Sequence, residues 1–355
     1  MAVRTERKSR GGTATIYDVA KAAGVSAATV SRAMNGSSRV ADPTLRRIRD
    51  AVRKLGYQPN AIARSLVTKS TQTIGLLLPD MANPFFPELI KGVQSLADER
   101  SYMLLLAETG GDPKTEQRYL DVLRGKAIDG VLVVGLAMRR RQLVKFVATG
   151  IPIVSLDREV DLPHIAMVQL DNRAGGRRAT QHLLSLGHCA IAHIGGPSQL
   201  KVSEDRREGY RDALHAGRSS GASTFEVEAD FTEEGGRRAC LGLLDGGVAF
   251  SAIFAANDVM AIGAMAALRE RGVPVPAKVS VVGFDDIHLA RYASPALTTV
   301  RQPTYEMGRR ATEVLIDAIQ GRVRSIEERV ILLQGELVVR ESTAQLARAA
   351  LEAAG

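Results

Sequence analysis

A small all-α unit followed by an α/β core of two doubly wound parallel sheets is the fold class that this 355-residue sequence predicts. Three observations carry it. Residues 15–35, TIYDVAKAAGVSAATVSRAMN, hold two short helical periods separated by one glycine. From Ile74 onward, short apolar runs alternate with amphipathic helical stretches, which implies parallel sheets covered on both faces. Basic charge is concentrated at one end: residues 1–69 hold fourteen Lys and Arg against four Asp and Glu, leaving 33 against 35 for the rest.

Thr15 is expected to cap a helix starting at Ile16, with Asp18 three residues on completing a capping box. Ile16, Val19, Ala20 and Ala23 then share one face. Gly24 permits a sharp turn, Val25 plugs the angle, and Ser26 caps a second helix carrying Ala27, Ala28, Thr29, Ser31 and Arg32. A third helix is expected with Asp42 as cap, Pro43 at its first position, Leu45, Ile48, Val52 and Leu55 as its apolar stripe, and Gly56 after its end. Val30 and Val40 join Val25 as core. Two helices about a glycine turn are the layout of a helix-turn-helix reader of the DNA major groove, and a phosphate-binding module concentrates basic charge in this way. Arg4, Arg7, Lys8 and Arg10 read equally well as an inert tail, since Gly11 and Gly12 break structure there.

After Gly56, Asn60 can cap a turn or two of helix over Ala61–Leu66, too short to be stable alone in water. Strands follow at Ile74–Leu78, Tyr102–Ala107, Gly130–Val134, Ile151–Leu156, Ala190–Ile194, Phe225–Ala229, Ala252–Ala256 and Ser280–Phe284. Helices are expected at Pro87–Glu99, Thr115–Arg124, Arg173–Leu186, Glu204–Ala216, Phe231–Leu244, Val259–Arg271 and Tyr305–Ile319. So many strands suit two sheets better than one.

No apolar run reaches the ~18 residues that a membrane helix needs, and the N-terminus lacks the apolar region of a secretory signal, so a cytoplasmic, nucleoid-associated protein is expected. Cys189 and Cys240 have no metal or redox spacing and are read as small buried side chains in a reducing compartment. The six histidines are scattered, there is no P-loop or nucleophile elbow, and Gly195-Gly196-Pro197 lacks the GxGxxG pattern and reads as a turn. The expectation is therefore no enzyme, no cofactor and no metal.

Polar residues gather just after predicted strands, where open α/β sheets bind ligands. Asp157 and Arg158 follow Leu156, Asn257 and Asp258 follow Ala256, Asp285 follows Phe284, and Arg206 lies near a helix start. Carboxylates and a guanidinium converging on a cleft suit a polyhydroxyl ligand, and Phe85, Phe86 and Phe231 can stack on a sugar ring. Asp258 reads as a helix cap and Phe85 equally well as core. Lys201 and Arg158 add positive charge, which keeps a sugar acid open beside a neutral sugar.

The segments TIYDVAKAAGVSAATVSRAMNG, RVADPTLRRIRDAVRKLGYQPNAIARSL, IGLLLPDMANPFF, FAANDVMAIGAMAALRERGVPVPAKVSVVGFDD and SPALTTVRQP, in this order, resemble the lactose/galactose repressor family of bacterial transcription regulators over about residues 13–342. The resemblance implies a homodimer on palindromic operator DNA, with a hinge helix and a two-lobed periplasmic-binding-protein-like core holding a small-molecule effector. It assigns Ala27 and Ala28 to base choice, where alanine offers only a methyl contact to thymine, and Arg32 to a bidentate contact with guanine. Thr29 and Ser31 share that reading, and Thr15, Tyr17, Ser26, Thr29, Asn35 and Arg39 are phosphate ligands. In the hinge it implicates Asn60, Ala63, Arg64 and Leu66, the leucine entering the minor groove as a wedge. Effector positions by resemblance are Phe86, Asp157, Arg206, Phe231, Asn257, Asp285 and Gln302. Leu200 and Val202 stand where purine-binding relatives carry Arg and Thr, which disfavours a purine.

The domains expected are a basic tail at 1–13, the helix-turn-helix at 14–58, hinge and linker at 59–71, the core at 72–342 and a C-terminal tail at 343–355. Within the core, 72–168 with 300–325 form one lobe and 169–299 with 326–342 the other. The functional reading is a repressor whose operator affinity is set by a sugar or sugar acid. A corepressor-dependent sensor of a nucleobase and, from another class, a sugar-binding transport protein are the alternatives.

Overall fold

The computed structural model describes residues 14–34, 40–57, 70–125, 128–135, 138, 140–157, 162, 165–216, 224–322 and 330–346. The chain forms two compact units, Met1–Thr71 and Gln72–Gly355.

The first unit holds α1 (Ile16–Ala23), α2 (Ala27–Met34) and α3 (Asp42–Leu55). The capping box is formed: the Asp18 amide donates to Thr15 Oγ1 at 3.4 Å, and the Thr15 amide donates to Asp18 Oδ2 at 2.9 Å. Gly24 takes the left-handed conformation at φ 65°, which any side chain would strain, and so turns the chain into α2. Val19, Ala20, Ala23, Val30, Ile48 and Ala51 bury together, with Val25 and Val40 packed on them. Small residues at the α1 contacts let three short helices close around one core. The start of α3 departs from expectation: Asp42 is its first residue, Ala41 stands at the cap without a side-chain bond, and Pro43 lies in the first turn.

The described residues of the second unit form two six-stranded sheets. The first runs β11 (Val330–Leu333), β5 (Ala166–Leu170), β4 (Ile153–Leu156), β3 (Gly130–Val134), β1 (Thr73–Leu78) and β2 (Met103–Glu108), with every pair parallel. Around it lie α4 (Phe86–Glu99), α5 (Pro113–Gly125), α6 (Arg140–Val147) and α11 (Thr304–Ile319). The second runs β12 (Glu336–Val338), β10 (Thr298–Arg301), β9 (Ser280–Asp285), β8 (Ala252–Ala255), β6 (Ile191–Gly195) and β7 (Thr224–Glu228). Only β12 in it is antiparallel, to β10. Its helices are α7 (Asn172–Ser185), α8 (Lys201–Ala216), α9 (Glu233–Asp245) and α10 (Asp258–Glu270). β1, β3, β4, β6, β8 and β9 are almost wholly buried, as sheets covered on both faces require.

Three chain segments pass between the sheets, after β5, after β10 and between β11 and β12. The third corrects the boundary expected near residue 326. Val330–Leu333 pairs with β5 of the first sheet, so the passage falls at 334–335. A four-residue strand flanked by polar residues gives no periodicity that reveals which sheet will accept it.

Among the described residues no helix is long and apolar enough to cross a membrane, and no group of three or more His, Cys, Asp or Glu can hold a metal ion. Both cysteines are free; Cys240 is buried, whereas Cys189, read as buried, is exposed.

Candidate functional sites: a DNA-reading helix and an effector cleft

In the first unit, α2 presents Ala28 and Arg32 to solvent, with Ala27, Thr29 and Ser31 half-buried. Ser26 caps the helix, its Oγ accepting from the Thr29 amide at 3.1 Å and lying 2.9 Å from Thr29 Oγ1. The Thr29 hydroxyl is thus drawn toward its own helix start. Arg32 Nε donates to the Ala28 carbonyl at 3.3 Å, which lays the guanidinium along the exposed face of α2. Tyr17, on α1, is exposed. These side chains put one arginine and several small groups on the surface of one short helix, which suits entry into a groove. Asn35, Arg39, Asn60, Ala63, Arg64 and Leu66 lie outside the described residues, as does Arg158 of the effector set.

In the second unit, Arg206 is the centre of the other site. It is buried in the first turns of α8, with Nε donating to Asn172 Oδ1 at 2.8 Å and Nη1 to the Ala256 carbonyl at 2.6 Å. The guanidinium carbon sits 3.9 Å from the Phe284 ring centroid, a cation–π contact, and Nη1 is 3.7 Å from Asp285 Oδ1. A glycine pair on α7 permits this closeness. A Cβ on Gly176 would overlap the Arg206 backbone, and one on Gly175 would meet the Phe284 ring at 2.7 Å.

Asp285 is buried at the end of β9, and Gln302 Nε2 donates to its Oδ1 at 2.6 Å. Asp157 follows β4 of the other sheet, close enough for the Arg206 and Asp285 charges to act on it. Burial raises both carboxyls, Asp157 to about 6 and Asp285 to about 7, while Arg206 works against the rise. Two acceptors in this cluster, Asp157 Oδ1 and Gln302 Oε1, are buried and have no hydrogen-bond partner among the described residues. Non-glycine residues with positive φ gather here as well: Asp157 at 59°, Phe231 at 63°, Asp285 at 120° and Asp286 at 57°. Such conformations persist where surrounding bonds enforce them. Around Asp285 those bonds are Arg301 and Arg340 to Asp286, at 2.7 and 2.5 Å, and the Ile287 amide to Asp258 at 2.9 Å.

Several sequence readings change here. The cap of α10 is Asn257, whose Oδ1 accepts from the Met260 amide at 2.9 Å while Nδ2 donates to the Phe231 carbonyl at 3.3 Å. Asp258 instead is fully buried, accepting from Thr299 Oγ1 at 2.5 Å. Phe231 precedes α9 and does not begin it, and its ring fills the place that a Gly196 side chain would occupy. Phe85 and Phe86 pack edge to face, 5.1 Å apart, within the core of the first lobe. Lys201 is 2.8 Å from Asp205 on its own helix, so its charge is used locally. Asn172 and Phe284, which orient Arg206, were missed. Neither follows a strand as a charged residue, and only the helix–sheet packing brings them to the guanidinium.

The fold and both sites define the class of a DNA-binding regulator with an effector-binding core. Residues 15–60 match the model described as bacterial regulatory proteins, lacI family, and residues 180–343 match the periplasmic binding protein-like domain. The ribose operon repressor of Halalkalibacterium halodurans is 38% identical over 329 residues, 93% of this chain and 97% of that one. The structure of the transcriptional regulator CelR–cellobiose complex has TM-score 0.70 at 35% identity, covering 93% and 99% of the two chains. The lac repressor dimer bound to operator and the anti-inducer ONPF has TM-score 0.84 at 28% identity, covering 94% and 100%. The chain belongs to the lacI family of bacterial transcriptional regulators, which bind operator DNA under the control of a small-molecule effector.

Proposed function

We propose that this regulator is a cytoplasmic repressor, acting as a homodimer on a palindromic operator, and that its effector is a neutral sugar bound at Arg206, Asp157 and Asp285. One observation carries the choice of ligand. The buried atoms of the cluster that lack a partner, Asp157 Oδ1 and Gln302 Oε1, are both acceptors, and two carboxylates face one guanidinium. A neutral sugar brings hydroxyl donors to those acceptors and can still accept from Arg206. A sugar acid brings a further negative charge and fewer donors. With Lys201 held by Asp205, the positive charge that kept the acid open is reduced. Phe231, Asn257 and Gln302 complete the reading, Phe231 offering its ring and Asn257 holding Phe231 in place.

Among the similar proteins, one is a ribose operon repressor and one is a regulator solved as a cellobiose complex, which supports a sugar. For the dimer, β2 is an edge strand that exposes Met103 and Leu105 on one face and Leu106 on the other, an apolar edge that a second copy would cover. For DNA, the role of Leu66 as a wedge follows the family resemblance, together with the Ala27, Ala28 and Arg32 surface. A thermal-shift screen of pentoses, hexoses, disaccharides and their acids tests the effector, because a ligand at 100 times its Kd adds about 2.7 kcal/mol. A neutral sugar is expected to shift the core transition; a shift by acids alone would refute the reading.

A further inference from the structure

The second lobe holds another cluster of buried polar groups, on the sheet face covered by α8. His193 on β6 and Ser203 on α8 are 1% and 3% exposed, and His193 Nε2, Ser203 Oγ and Arg207 Nε are all buried without a hydrogen-bond partner among the described residues. They line a pocket of ≈ 220 Å³, with Gly195, Ser198 and the β7 residues Glu226 and Glu228 completing its wall. We propose that this pocket is a second small-molecule site, distinct from the effector cleft, and that it takes a small neutral polyol.

The chemistry of each wall selects that class. The His193 ring is stacked between Tyr210 and Phe254, at centroid distances of 5.1 and 4.9 Å, so it cannot turn to find another partner. Its Nδ1 lies 3.0 Å from the Phe254 carbonyl, which only accepts, so Nδ1 carries the proton and Nε2 offers a lone pair to the pocket. Burial keeps the ring neutral by lowering its pKa to about 4. Ser203 Oγ gives and accepts, and Arg207 Nε gives. Glu226 is held by Arg211 through two bonds of 2.7 Å, which leaves Glu228 and Arg207 as opposite charges on the wall. An anion would face two carboxylates and the imidazole lone pair, and a cation would face Arg207. Adjacent hydroxyls answer all three buried groups: one donates to His193 Nε2, while another accepts from Arg207 and exchanges a bond with Ser203. The volume sets the size, since drug-sized ligands occupy pockets of ≈ 300–1,000 Å³ and this one is smaller.

Position gives the site a consequence. Ser203 and Arg207 flank Arg206 on α8, and Gly196 separates the pocket from the Phe231 ring. A polyol bound here braces the helix start that carries the effector-binding guanidinium.

The test uses the full-length protein with glycerol, erythritol and xylitol as probes, read by saturation-transfer NMR titration. Two variants remove the site gently. Gly195→Ala places a methyl 3.4 Å from His193 Nε2 with no closer contact, and Ser203→Ala removes one hydroxyl. Asp285→Asn weakens the effector cleft, so that binding there would be lost while binding in this pocket would persist. At least one polyol is expected to bind wild type and Asp285→Asn equally, and tenfold or more weakly to Gly195→Ala and Ser203→Ala. Three results would each overturn the proposal: binding unchanged in both pocket variants, binding lost in Asp285→Asn, or no polyol bound by the wild type, leaving the pocket to water.

Discussion

Burial raises the Asp285 and Asp157 carboxyls toward neutrality. Their folded pKa values, about 7 and about 6, lie above the ordinary 3.8, so the folded protein holds protons that the unfolded chain releases. Between pH ~4 and ~7 the unfolded state is the one with fewer protons, and stability therefore falls as pH rises through that window and levels above it. Effector binding has the opposite dependence. A sugar hydroxyl donates best to an ionised carboxylate, so affinity should rise by up to about tenfold per pH unit and per proton released between pH 5 and 7, then flatten. Isothermal titration in buffers of different ionisation enthalpy measures both the trend and the proton release; a flat profile with no proton exchange would dismiss the carboxylates as partners. Replacing Asp285 by Asn should weaken the sugar by roughly 1.5–3 kcal/mol, as expected for a hydrogen bond to a charged group. The charged residues of this site were legible in sequence, because Asp157, Arg206 and Asp285 stand at strand ends or a helix start, where isolated charges need partners. Asn257 shows the limit of such reading. Its place after β8 does not reveal that its amide serves the α10 cap and the Phe231 carbonyl.

At the scale of elements, caps and close helix contacts decide what the sites can be. Ser26 closes the first turn of α2, and Ser26→Ala should destabilise the headpiece by about 1 kcal/mol, with a parallel loss of operator affinity. Thermal unfolding of the headpiece transition checks this, and an unchanged transition would show that the cap has no role. Gly175 and Gly176 let α7 approach β9 and α8. A leucine at 176 would push α8 away and carry Arg206 with it, so effector affinity and core stability should fall together. Most strands and helices were visible in the sequence because buried parallel strands are continuous apolar runs between amphipathic segments. The exceptions are the helix α6 and the strands β5, β10, β11 and β12, which adjoin the chain passages between the sheets, and β12 runs antiparallel to β10. The identity of those strands comes from the partner strand, which no local pattern encodes.

Across the whole molecule, the charge distribution separates two tasks. The basic first segment suits phosphate, while the near-neutral remainder suits a neutral ligand. Replacing Leu106 by Lys on the exposed β2 edge should convert dimer to monomer in sedimentation and weaken operator binding, since one half-site alone is then held. Leu66→Ala should weaken operator binding strongly and leave sugar affinity nearly unchanged, as measured by mobility shift and calorimetry. The family was legible from the order of its motifs; the choice between a neutral sugar and a sugar acid was not, because it depends on which buried acceptors the fold leaves without partners.

The central claim joins these tasks: a neutral sugar held by Asp157, Arg206 and Asp285 changes the affinity for DNA. Its most direct measurement is a titration of a palindromic operator duplex by fluorescence anisotropy at fixed salt, with and without the sugar found by thermal shift, in wild type and Asp285→Asn. Sugar should change wild-type operator affinity by about 5–150-fold, the coupling range of 1–3 kcal/mol, and leave Asp285→Asn unmoved. Equal responses in the two proteins, or no response to a sugar that binds, would contradict the account.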